Sequence, residues 1–149
     1  MWPFWLLFLI PALLALAQGR AYGVLPAKWP TLWWLLFVLL VLAIGLRYEV
    51  GGDWGQYIWH LQKAESETFS EALLQSDPAY KVLNWFGVRL GGGFWLVNLL
   101  GGLIFSYGLV AFCRSLPRPW LAATVAMPYL VTVVAMGYTR QGIAIGLIL

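Results

Sequence analysis

The chain alternates long apolar runs with short polar joints. Trp2–Gly19, Trp29–Leu46, Phe94–Cys113 and Trp120–Tyr138 each come close to the ~20 largely apolar residues that a transmembrane helix needs. A fifth run opens after Arg140 and reaches the C-terminus at Leu149, too short to cross a bilayer. This spacing predicts an all-α protein: a polytopic transmembrane helical bundle forming a single membrane domain, 1–149, and the front part of a longer chain. The stretch "ALLALAQG" resembles a signal-peptide cleavage site, but "MWPFWLL" lacks a basic leader and three further spans follow, so the first helix is expected to stay.

Between the second and third runs the pattern changes. Trp54, Tyr57, Ile58 and Leu61 recur at i, i+3, i+4, i+7, the stripe of an amphipathic helix. Thr68 and Glu71 fit a capping box ahead of "EALLQ". "SDP" (76–78) starts another helix, with Ser76 or Asp77 as cap and Pro78 in the first turn. Ala79, Leu83, Phe86 and Leu90 form its expected apolar face, and "GGG" (91–93) ends it. The connector 47–93 therefore reads as short helices lying along a membrane surface, apolar faces down.

Composition sharpens the picture. Of 149 residues, 62% are hydrophobic and 10% charged, against roughly 25% charged in a soluble domain. Ten tryptophans suit interfacial anchoring, with Trp29, Trp33 and Trp34 as examples. The net charge of +3 reflects few charges in all and bears on orientation, not on nucleic acid. Cys113, the single cysteine, has no intrachain disulfide partner and reads as a small buried hydrophobe. No Cys/His cluster and no phosphate loop of the P-loop kind occurs.

Charge also predicts sidedness. The joints at 20–28 and 114–119 carry Arg20, Lys28, Arg114 and Arg118 and no acid, while all 6 acidic residues fall in 47–93. Basic short loops face the cytoplasm. The expected arrangement has the N-terminus external, the connector external, and Arg140 returning to that same side of the membrane.

Arg47, Glu49 and Asp53 follow the second span at once. Arg47 can snorkel to headgroups. Asp53 with Gln56 can form a D-x-x-Q capping box, and a helix N-terminus is also a place to hold an anion. Glu49 gains nothing from anionic lipid and is expected to pair with Arg47, Arg140 or a ligand. Arg140, beside Gln141, lies between two apolar runs; an ionisable residue there is a functional hypothesis by default, though an interfacial role is open to it. Gly137 and Gly142 permit close packing or a break. His60 reads as interfacial, and Asn84 and Asn98 as interhelical hydrogen-bonding groups. Two guanidiniums, two carboxylates, Tyr48, Tyr57, Tyr138 and Gln141 on one side suit a pyrophosphate-bearing sugar: Arg holds phosphate bidentately, aromatics and amides hold sugars, and a carboxylate can take a proton from a hydroxyl.

Three stretches resemble the EpsG family of bacterial exopolysaccharide proteins, which are Wzy-like polysaccharide polymerases. "RYEVGGDWGQY" (47–57) is similar to its R-x-x-x-G-x-D-x-x-x-Y segment, "DPAYKVLNW" (77–85) to an acidic-Pro-aromatic segment followed by Leu-Asn, and "YTRQGIAIGLIL" (138–149) to its Arg-Gln helix start. The likeness runs from about residue 30 to the end. It implies a polytopic protein longer than this chain, joining polyprenyl-pyrophosphate-linked oligosaccharides at the external face of the membrane, in the company of the bilayer and other polysaccharide-assembly proteins. Carried over residue by residue, the candidates are Arg47, Gly52, Asp53, Tyr57, Asn84, Arg140 and Gln141. In this reading Arg140 and Arg47 neutralise the leaving pyrophosphate, Asp53 is the base, and Glu49, Gly52, Tyr57, Asn84, Tyr138 and Gln141 contact substrate. No cofactor or metal is required, although Glu49 and Asp53 could hold a divalent ion. The alternatives are a transporter or flippase segment for lipid-linked sugars, and a non-catalytic subunit of an assembly complex.

Overall fold

The computed structural model describes residues 2–18, 30–51, 54–74 and 77–149. All regular structure among them is helical: α1 (Trp2–Ala17), α2 (Thr31–Gly45), α3 (Trp54–Ser66), α4 (Phe69–Leu74), α5 (Pro78–Arg89), α6 (Gly93–Ser115), α7 (Pro119–Ala126) continuing as a π-helical segment (Met127–Ala135), and α8 (Thr139–Ile148). The apolar runs of the sequence become α1, α2, α6 and the α7–π unit, and the connector becomes α3 to α5. At 23 residues, α6 is long and apolar enough to cross a membrane; Phe4–Ala17, Thr31–Gly45 and Pro119–Ala135 are apolar but shorter.

The core forms where α2 and α8 pack on α6 and where α1 and α7 close over the other end. Leu36, Leu40 and Ile44 of α2 meet Phe105 and Leu109 of α6. Trp33, expected as an interfacial anchor, is instead 1% exposed. Its ring stacks on Trp120 with centroids 4.0 Å apart, a pairing worth about 0.5–1.5 kcal/mol beyond the area it buries. Trp34 does point outward, and Trp29 lies outside the described residues. Cys113 is buried. The helices α6 and α8 approach through glycine: a Cβ on Gly146 would sit 2.5 Å from the Phe105 Cα. Gly142 and Gly146 have the small-xxx-small spacing that lets membrane helices touch backbone to backbone.

The connector folds onto itself and onto the start of α6, giving a smaller core of Tyr57, Leu61, Tyr80 and Val97. The capping box ahead of α4 is realised: Glu71 Oε2 accepts the Thr68 N–H at 2.7 Å, and Thr68 Oγ1 accepts the Glu71 N–H at 3.4 Å. The stripe of α3 buries Tyr57 and Leu61 as its spacing predicts. On α5 the face is reversed. Tyr80, Lys81, Asn84 and Gly87 turn inward against α3, while Phe86 and Leu90 are exposed. The inward groups find polar partners within the connector, so the apolar stripe is left to face out.

The α7–π unit is widened because Pro128 has no N–H to give the α-helical ladder. Thr132 Oγ1 donates to the Met127 carbonyl at 2.9 Å, consistent with the looser register of a π segment. The π segment ends at Ala135, Met136 and Gly137 stay helical, and α8 begins at Thr139 after a break at Tyr138.

Candidate functional site

The break at Tyr138 leaves two helix ends facing one place, each with backbone groups that need partners. The turn after α2 supplies them. Arg47, 5% exposed, donates through Nη1 to the Ala135 carbonyl at 2.5 Å and through Nη2 to Thr139 Oγ1. A cation at a helix C-terminus also complements the helix dipole. The Tyr57 phenolic oxygen accepts the Thr139 N–H at 2.9 Å, capping α8 from a distant helix. Gly51 completes the fit. Its φ is +108°, and a Cβ there would lie 2.5 Å from the Gly137 carbonyl oxygen, so only glycine suits both the conformation and the approach.

With α8 fixed in this way, Arg140 emerges one residue into the helix. Its Nη1 lies 3.2 Å from Asp77 Oδ2, and its guanidinium stands 6.0 Å from the Tyr80 ring centroid. Arg140 and Asp77 remain 38% and 62% exposed. Around them opens a hollow of ≈ 290 Å³ lined by Tyr57, Asp77, Tyr138, Arg140, Gln141 and Ala144. It holds one guanidinium, one carboxylate, two phenols and one carboxamide, with a helix N-terminus behind them. That set can hold a phosphate or pyrophosphate and hydrogen-bond a sugar.

The residues expected to act are therefore divided. Arg140, Tyr57, Tyr138 and Gln141 share the hollow. Arg47 adjoins it but is buried, its terminal nitrogens spent on Ala135 and Thr139. Glu49 is exposed at a positive φ of 51° and, among the described residues, pairs with neither arginine. Asn84 is buried on α5, donates to the Tyr80 carbonyl at 2.8 Å and does not line the hollow. Gly52 and Asp53 lie outside the described residues, as do Ser76 and the capping box proposed for Asp53. Among the described residues, no three metal-ligating side chains converge.

Asp77 was expected as a helix cap. It does stand just ahead of Pro78, but at φ 62° and ψ 55° its side chain makes no cap bond and reaches Arg140 instead. Tyr80 and Lys81 were not foreseen at all. Their signal was the polar recurrence Asp77, Tyr80, Lys81, Asn84 at helical spacing, opposite the apolar stripe. Burial pushes the Tyr80 hydroxyl up to about 12, so it remains a donor. Burial lowers Arg47 from its ordinary value, with the Tyr57 and Tyr80 hydroxyls opposing. His60 is held below the usual histidine range by burial and by the cations Lys81, Arg140 and Lys63.

A clasped helix break presents one arginine into an aromatic, amide-lined hollow in an all-helical protein. Residues 31–149 match the EpsG family, and the chain belongs to it. Membership brings a setting in exopolysaccharide biosynthesis at a membrane. No curated protein and no solved structure matches the chain.

Proposed function

We propose that this chain is part of a polytopic polysaccharide polymerase, acting on polyprenyl-pyrophosphate-linked sugars at the external face of a bacterial cytoplasmic membrane. The observation that carries the reading is the half-exposed Arg140 at the α8 N-terminus, facing a hollow lined with hydroxyl and amide groups and countered by one solvent-exposed carboxylate. An exposed pair of this kind is worth ~0–1 kcal/mol, so an incoming pyrophosphate can displace Asp77 at little cost.

In the reaction an acceptor hydroxyl attacks the anomeric carbon of the lipid-linked sugar. The new glycosidic C–O bond forms as the bond to the lipid pyrophosphate breaks. Arg140 and the α8 N-terminus stabilise the charge that develops on the leaving group. A carboxylate takes the hydroxyl proton; Asp53 is the candidate from the sequence, and Asp77 is the carboxylate that lines the hollow. Tyr138 and Gln141, which line the hollow, orient the sugar.

Several features support the membrane setting. Apolar side chains cover faces of the bundle that protein does not cover: Leu35 and Val38 on α2, Val125 on α7 and Leu147 on α8 are all exposed. A helix apolar on every side needs protein or lipid around it, which favours four membrane-embedded helices over one. With the basic joints cytoplasmic, the connector and Arg140 lie outside.

A transporter or flippase segment is the second reading, favoured by the broken helix, a device of transporter binding sites. Transport requires the polar groups at mid-depth, whereas here Arg47, Tyr57, Asp77 and Arg140 gather where α2 ends and α8 begins. Arg140→Ala in cells is expected to abolish polymer while the protein stays in the membrane fraction. Normal polymer from that variant would remove Arg140 from the mechanism.

A further inference from the structure

Lys81 carries the unusual charge of the connector. It is 6% exposed on α5, and its Nζ lies 3.0 Å from His60 Nδ1. Among the described residues no carboxylate is within ion-pair range of it. Buried ammonium groups are ordinarily paired with an anion. A neutral imidazole accepts one of its three N–H donors and offsets none of its charge. Nearby Lys63 is already matched by Glu67 at 3.4 Å.

Beside this cation lies a second hollow of ≈ 400 Å³, lined by Gly55, Gln56, Trp59 and His60. Trp59 is 55% exposed, and Lys81 Nζ sits 5.8 Å from its ring centroid. An indole ring, a carboxamide and an imidazole are the groups that hold a sugar: the ring's C–H face packs on the indole, and hydroxyls bond the amide and the free ring nitrogen. Tyr80 stands between a group of each hollow: its ring centroid lies 6.1 Å from that of His60 and 6.0 Å from the Arg140 guanidinium.

We infer that the Gln56–Trp59–His60 hollow binds a saccharide ring bearing a negatively charged substituent, carboxylate or phosphate, whose charge Lys81 neutralises. The inference rests on the proposed function in taking that ring to belong to the same substrate. Its test, however, reads binding and needs no turnover. Anionic lipid headgroups share the phosphate chemistry, so the experiment separates the two sources.

The full chain, in nanodiscs of phosphatidylcholine, is titrated with cellobiouronic acid and with neutral cellobiose, and binding is followed by ligand-observed NMR. The acid is expected to bind about tenfold more tightly, a difference of about 1.4 kcal/mol. Lys81→Gln should erase that preference, Lys81→Arg should keep it, and Trp59→Ala should weaken both sugars. Equal binding of the two sugars by the unaltered chain overturns the inference, as does a preference that survives Lys81→Gln. Loss of acid binding when phosphatidylglycerol replaces phosphatidylcholine also overturns it, assigning the site to lipid. The unaltered-chain comparison and the lipid exchange stand even if Lys81→Gln misfolds. Loss of the acid preference leaves the Arg140 polymer assay untouched, and a failed polymer assay leaves this binding result standing.

Discussion

The Tyr57 hydroxyl oxygen accepts the backbone N–H of Thr139 at 2.9 Å, across 82 residues of sequence. Through that bond and the neighbouring Arg47–Thr139 contact, α3 and the turn after α2 set where α8 begins and hence where Arg140 points. In the proposed function Arg47 and Tyr57 are accordingly positioning residues, and Arg140 is the group offered to a ligand.

Removing the clasp has a predictable cost. Tyr57→Phe leaves one backbone N–H without its partner and is expected to destabilise the fold by about 1–3 kcal/mol. Arg47→Ala strands the Ala135 carbonyl and the Thr139 hydroxyl, with a loss at the upper end of that range. Arg47→Lys rescues little, because one ammonium cannot reproduce the two-pronged reach of a guanidinium. Thermal unfolding in detergent measures all three; an Arg47→Lys variant as stable as the parent contradicts the clasp.

Asp77→Asn should behave differently. The Arg140–Asp77 pair is solvent-exposed, so its loss is expected to shift stability by under ~1 kcal/mol, while freeing Arg140 for anions. Inorganic pyrophosphate should bind this variant several-fold more tightly than the parent. Weaker binding would show that Asp77 supports the site and does not compete for it.

Burial of His60, with the cations Lys81, Arg140 and Lys63 beside it, makes stability depend on pH. The folded-state value of His60 lies below its ordinary 6.5, so the unfolded chain takes up the proton more readily. The contribution is complete above about pH 6.5 and is lost as pH falls through the lower folded value. Melting temperature is expected to fall on acidification below that point, and less so in His60→Gln. An identical acid slope in the variant would rule out His60 as the source.

Much of this architecture was readable from sequence, because long apolar runs and an i, i+3, i+4 stripe are local signals. The Thr68–Glu71 cap needs only two side chains three residues apart, and it forms as read. The inward face of α5 was misread because apolar Phe86 and Leu90 outweigh Lys81 and Asn84 in any count of hydrophobicity. What decided the face was the set of partners, Lys81 with His60 among them, which only the folded connector supplies. Arg47 illustrates the same limit. Its carbonyl partner lies 88 residues away at a helix end, and a cation after a span looks alike whether it snorkels to lipid or ties two helices together. Of the hollow, Arg140, Tyr57, Tyr138 and Gln141 were legible from residue chemistry and resemblance, whereas Asp77 was hidden behind its more ordinary role as a helix cap.

The proposed function requires that the connector and the start of α8 open together on the outer aqueous side. Single cysteines replacing Asp77 and Arg140 in a Cys113→Ala background, labelled on intact cells with a membrane-impermeant maleimide, test it directly. Both positions are expected to label from outside at similar rates. Labelling of one from outside, and of the other only after the cells are opened, would contradict it.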